Sequence, residues 1–192
     1  REGARQLLQA LLQQAPGQPE ALFQLAFLDV AANQPQAAAD LLARCVAARP
    51  DWAEPWIRLG QLRLLLDACE EAATAFRRAT ALAPNDPRAF EGLAEALRRI
   101  GSDFAELLRA RLRLAELEPR QVAHRLRLGH MLTGAAMSEA AEAAYRDALA
   151  LDPDNLVARW ALFQNPPTPL PVDQAAQADF ARRWSEGLAW FE

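Results

Sequence analysis

Prolines recur along this chain at Pro16, Pro50, Pro84, Pro119 and Pro153, spaced 34, 34, 35 and 34 residues apart. Each ends an Ala/Leu-rich run with a short polar turn, written APGQ, RPDW, APND, EPRQ and DPDN. A fixed interval of this length is the mark of stacked helix–turn–helix units, each of which buries its apolar face only against its neighbours. The period predicts an all-α solenoid with a lengthwise trough as its working surface, in place of a closed globule with a pocket.

Composition agrees with helices. Ala, Leu, Glu, Arg and Gln dominate, with a single Tyr among 192 residues, a bias that favours helix over strand. Every basic residue is Arg, which suits carboxylates and phosphates slightly better than Lys. The net charge of −4 leaves no global cationic field, so nucleic acid is not an expected partner. Cys45 and Cys69 stand alone, without zinc or CxxC spacing, and fit a reducing, cytoplasmic setting. No apolar run reaches a membrane span and no signal peptide is visible, so no membrane partner is expected. The opening REGARQLLQALLQQAP reads as a second helix without its first, and the chain as a piece cut from something larger.

With each late proline as the thirty-second position, full repeats occupy 19–52, 53–86, 87–121 and 122–155, after a half repeat at 1–18. The second is clearest, with Trp56, Leu59, Gly60, Ala72, Phe76, Ala79 and Pro84 in register. The fourth comes next with Leu128, Gly129, Ala141, Tyr145, Ala148 and Pro153, and the first offers Leu22, Leu25, Ala26, Ala38, Leu42, Cys45 and Pro50. Small residues at the eighth and twentieth positions let paired helices approach, and large ones at the fourth and twenty-fourth fill the space between them. Pro19 and Pro87 suit first helical turns, and Asp51, Asn85 and Asp86 offer caps. This pattern resembles the tetratricopeptide repeat (TPR) over residues 1 to about 164. It implies a right-handed superhelical solenoid of about eleven helices in antiparallel pairs, with a capping helix at 156–164.

The third repeat departs from the pattern. One extra residue falls near GSDF, Leu107 stands where alanine is expected, and Arg111 where an aromatic is expected, so the stack should be distorted there. Residues 165–172 form a Pro-rich linker that cannot be helical. Residues 173–192 resume a helix with Phe180, Trp184, Leu188 and Phe191 on one stripe, and Asp173 as its cap. The layout from ARWALFQ to the end resembles the join between repeats and catalytic module in bacterial O-linked GlcNAc transferase-like (SPINDLY-like) glycosyltransferases. That resemblance implies a non-catalytic arm that recruits protein acceptors. The preferred reading of 173–192 is a capping helix over the last apolar face of the solenoid.

Catalytic chemistry finds no constellation. There is no phosphate loop, no serine elbow and no metal motif, and His124 and His130 are six residues apart on one helix and face different ways. Glu70 and Glu71 open a helix and favour its dipole. Cys45 occupies a packing position, which argues for an inert core thiol. The chain is expected to be no enzyme and to carry no cofactor and no metal.

Binding is the stronger case. The repeat resemblance implies that first helices line a concave groove through their second, fifth, ninth, twelfth and thirteenth positions. The groove would begin with Glu20, Phe23, Phe27 and Val30, then Glu54, Ile57, Gln61, Leu64 and Leu65. It would continue with Arg88, Glu91, Glu95, Arg98 and Arg99, then His130, and end near Trp160, with Arg58 and Arg127 close by. Its early half is apolar and its middle charged: Arg88, Arg98 and Arg99, with Arg58 and Arg127, could hold carboxylates of an extended peptide, and the preferred alternative is that Glu91 and Glu95 neutralise them within their own helix. The expected partner is a protein or extended peptide. The alternatives are protein acceptors of a glycosyltransferase and a second copy of the chain in a homodimer.

Overall fold

The computed structural model describes residues 2–101, 103–164 and 173–188. The linker 165–172, Phe191 and the side chains of Trp184 and Leu188 lie outside the described residues. Among those described there are eleven helices and no strand. They are α1 (Glu2–Gln14), α2 (Pro19–Ala31), α3 (Pro35–Ala48), α4 (Ala53–Leu65), α5 (Cys69–Leu82), α6 (Pro87–Ile100), α7 (Phe104–Leu117), α8 (Val122–Gly134), α9 (Ser138–Leu151), α10 (Leu156–Gln164) and α11 (Gln174–Leu188). The first helices of successive units thus start at residues 19, 53, 87, 122 and 156.

Local chemistry sets the starts. Pro19, Pro35 and Pro87 occupy first turns, where a missing N–H costs nothing. Asp86 accepts from the Arg88 N–H at 3.0 Å, and Asn155 accepts from the Ala158 N–H at 3.0 Å. Asp51 is a correction: α4 begins later, and the residue at its cap is Trp52, which makes no side-chain capping bond. Glu70 and Glu71 sit in the first turn of α5 as expected.

The ends of first helices share one device. At the fifteenth position of each unit stand Asn33, Asp67, Gly101 and Ala136, all left-handed, with φ of 58°, 60°, 70° and 58°. After α2, α4 and α8, the next N–H reaches back five residues, as Met137 does to the Leu132 carbonyl at 2.9 Å, closing a Schellman motif. Alanine is the costly residue in this conformation, by about 1–2 kcal/mol. Ala136→Gly is therefore expected to raise stability by about 1 kcal/mol, read as a higher midpoint in a urea melt.

Packing divides the chain into two compact units, Arg1–Ala110 and Arg111–Glu192. The boundary between them falls inside α7, beside the irregular position Arg111. That side chain is buried. Within the first unit each helix packs on its chain neighbour from α1 to α6, and α4 also meets α6. Within the second, α8 packs on α9, α10 on both, and α11 on α10. Chain-order packing of this kind is what stacked hairpins require.

The core of the first unit shows how residue size fixes the approach of helices. The Phe76 ring is fully buried, with Gly60 against one edge and Gly92 against the other. A Cβ at Gly60 would lie 2.8 Å from the ring, and one at Gly92 only 2.2 Å away. In the second unit Tyr145 lies over Gly129 with a corresponding 2.4 Å, and its hydroxyl meets the Thr133 hydroxyl at 3.2 Å. Where the eighth position is Ala26, the twenty-fourth is the smaller Leu42. Ring and glycine, or leucine and alanine, share a nearly constant volume.

Candidate functional site: the first-helix face of the first unit

The expected groove residues separate into three groups. Phe23 and Ile57 are buried, at 8% and 1% exposure, and this corrects their assignment as groove-lining side chains. Phe23 packs edge-on against Phe27, at 4.9 Å between centroids, and against Trp52 at 4.7 Å. Ile57 joins the core that α6 closes with the small Ala89 and with Leu93. These two fifth-position side chains are therefore spent on the core.

The second group stays open. Phe27, Val30 and Leu65 are 41%, 49% and 71% exposed. Phe27 and Val30, with Arg58 and Gln61, surround an apolar pocket of about 100 Å3 between α2 and α4, floored by Ala26, Leu42 and Leu62. The Arg58 guanidinium stands 5.5 Å from the Phe27 ring centroid, donates to Glu54 at 2.8 Å and to the Gln61 side-chain oxygen at 3.3 Å. The wall is thus held by a cation–π contact and two hydrogen bonds.

The repeat register shows what borders the pocket. One unit further along, the same three positions are Gly60, Phe76 and Gly92, and the phenyl ring fills the space between the two glycines. Here they are Ala26, Leu42 and Arg58, and the pocket opens beside them toward Phe27, Val30 and Gln61. Sequence reasoning placed Ala26 and Leu42 in the core. Both are buried, and both also border the pocket, which the repeat pattern does not mark.

The third group is charged and internally paired. Arg88 donates to Glu54 at 2.8 Å and to Asp86 at 2.6 Å. Glu95 accepts from Arg98 at 2.8 Å and 2.9 Å and from Arg99 at 2.8 Å. Those hydrogen bonds, Arg98 first, hold the Glu95 carboxyl down to about 2. Arg99 also donates to the Leu64 carbonyl at 3.2 Å, placing a cation on the C-terminal end of α4. Glu91 is exposed on the same helix.

In the second unit, Arg127 and His130 are on α8, and His130 lies exposed 5.6 Å from the Tyr145 ring. Trp160 is exposed on α10 and contacts Phe163 at 5.6 Å. His124 is buried with Nε2 2.6 Å from a Glu118 carboxylate oxygen, so the two histidines do not meet. Burial pushes the Cys45 thiol up to about 11, where the nucleophilic thiolate is scarce. Among the described residues no three His, Cys, Asp or Glu are grouped to hold a metal, and no helix is long and apolar enough to cross a membrane.

Residues 1–62 and 125–155 match family profiles described as tetratricopeptide repeat. These segments are tetratricopeptide repeats. The fold of the chain is that of TPR solenoids: YrrB, described as a TPR protein with an unusual peptide-binding site, superposes with a TM-score of 0.73 at 15% identity. That match covers 95% of this chain and 89% of YrrB. A crystal structure of MamA gives 0.69 at 21% identity, covering 79% and 88%. MamA from Desulfovibrio magneticus RS-1 gives 0.65 at 20%, covering 80% and 86%. Among curated proteins no sequence relative matches the chain.

Proposed function

We propose that this TPR chain is a protein-interaction module that holds an extended segment of another protein on the α2–α4 face of its first unit. One observation carries the reading: the apolar side chains there divide into those spent on the core, Phe23 and Ile57, and those left open around a pocket, Phe27 and Val30. Open apolar surface around a concave site is the usual mark of a contact. The paired arginines of α6 offer less, because exposed ion pairs contribute little. The description of YrrB as peptide-binding supports the reading by likeness of fold.

The test is selection of a displayed random-peptide library on the purified chain. Binders are expected, and Val30→Glu with Leu65→Glu should weaken them by at least about tenfold, since two charged groups must then be desolvated where apolar side chains met the ligand. Both side chains are on the surface, so the thermal melt should hold. A library that yields no binder, or binders indifferent to the double substitution, would overturn the proposal.

A further inference from the structure

The same face specifies what its occupant should look like, by shape and by charge, and the specification rests on the binding role just proposed.

Shape comes from the pocket. It is bordered by Ala26, Leu42 and Arg58 and opens toward the apolar Phe27 and Val30. Its volume of about 100 Å3 compares with the roughly 150 Å3 apolar cavity that admits benzene. A space of this size with this apolar lining suits one phenyl or similarly large apolar side chain.

Charge comes from the partners along the face. At the N-terminal end of α6, Arg58 and Arg88 are matched by Glu54 and Asp86, two cations to two anions. At the C-terminal end, Arg98 and Arg99 share the single carboxylate of Glu95, with exposed Asp67 at 3.8 Å from Arg99. Among the described residues, Nη1 of Arg98 and Nη2 of Arg99 donate to no acceptor on this face. Arg99 also bonds the Leu64 carbonyl at the end of α4, next in sequence to the exposed Leu65. Edge positions thus run from apolar Val30 through Leu64 and Leu65 to a pair of arginines.

We infer that the occupant is an extended peptide segment that places one aromatic or large aliphatic side chain in the Phe27 pocket and an acidic side chain against Arg98 and Arg99. Neighbouring helix axes lie about 8–10 Å apart and an extended chain advances about 3.3 Å per residue, so the two features should stand about three to five residues apart. Charge-assisted donation from two guanidinium groups to one carboxylate gives the acidic preference.

The experiment is fluorescence polarisation with a labelled Gly/Ser peptide bearing one phenylalanine and, four residues on, two aspartates. Its controls carry lysines for the aspartates, or alanine for the phenylalanine. The aspartate peptide should bind at least about fivefold tighter than the lysine peptide, the gap closing at high salt. Arg98→Glu with Arg99→Glu should reverse that order, and the milder Arg98→Gln with Arg99→Gln should abolish it. Leu42→Phe enlarges a side chain that already borders the pocket and fills it from within, so it should remove the phenylalanine dependence, with circular dichroism checking that the variant is folded. Should that variant fail to fold, Val30→Glu gives the same reading from the rim. Peptide binding that ignores the aspartates, or survives a filled pocket, would overturn this inference and leave the interaction role standing. If no peptide binds at all, including those from the random library, both readings fall.

Discussion

Phe76→Ala should cost about 3–5 kcal/mol, a large part of the roughly 5–15 kcal/mol that holds an ordinary domain together. The ring is fully buried and joins α4, α5 and α6 at once. Removing it leaves a cavity that no neighbour can collapse into, because both flanking positions are glycines set in helical backbone. The reciprocal change is as informative. Gly92→Ala would place a Cβ 2.2 Å from a ring whose opposite edge is already closed by Gly60. Helix propensity favours alanine by about 1 kcal/mol, yet overpacking should win by about 1–3 kcal/mol. Phe76→Leu in the Gly92→Ala background should recover most of that loss, since in the preceding repeat Leu42 stands where Arg58 supplies a Cβ at the position of Gly92. Urea melts of the three variants check this, and a Gly92→Ala protein as stable as the parent would refute the steric account.

The second large effect is expected at α1. Asp29 lies on α2 at 4% exposure, and its carboxylate receives the Arg5 guanidinium of α1 at 2.5 Å. Arg5→Ala removes the cation and leaves a buried carboxylate without its partner, at a cost of about 2–4 kcal/mol. Asp29→Asn in the same background should return most of it, since a neutral amide is cheaper to bury. Faster amide exchange confined to α1 in Arg5→Ala would show where the loss falls. Uniform exchange, with no rescue by Asp29→Asn, would assign the pair no such role.

Much of this fold is legible in the repeat itself. The period of 34 marks the helix pairs, and the alternation of small and large residues at the eighth and twenty-fourth positions sets how they meet. Glu95 can be read as the partner of Arg98 and Arg99, because residues three and four apart share a helix face. Arg88 and Glu54 are separated by one full period, so the repeat brings them together. Other features are hidden. Whether a fifth-position side chain faces solvent depends on the residues that pack over it: Trp52 covers Phe23, and the alanine-rich side of α6 covers Ile57. The Arg5–Asp29 pair joins helices through a separation of 24 residues that no period marks. The pocket is invisible for a simpler reason: a void is the absence of a side chain, and a repeat pattern records only the side chains present.

The open edge of α2 and α4, continued by the arginines of α6, is where we propose that this chain works. The most direct test is an amide and methyl NMR titration of the full chain with the phenylalanine–aspartate peptide. Shifts are predicted to concentrate at Ala26, Phe27, Val30, Gln61, Leu65, Arg98 and Arg99. Shifts confined to the second helices α3 and α5, or to the second unit, would contradict it.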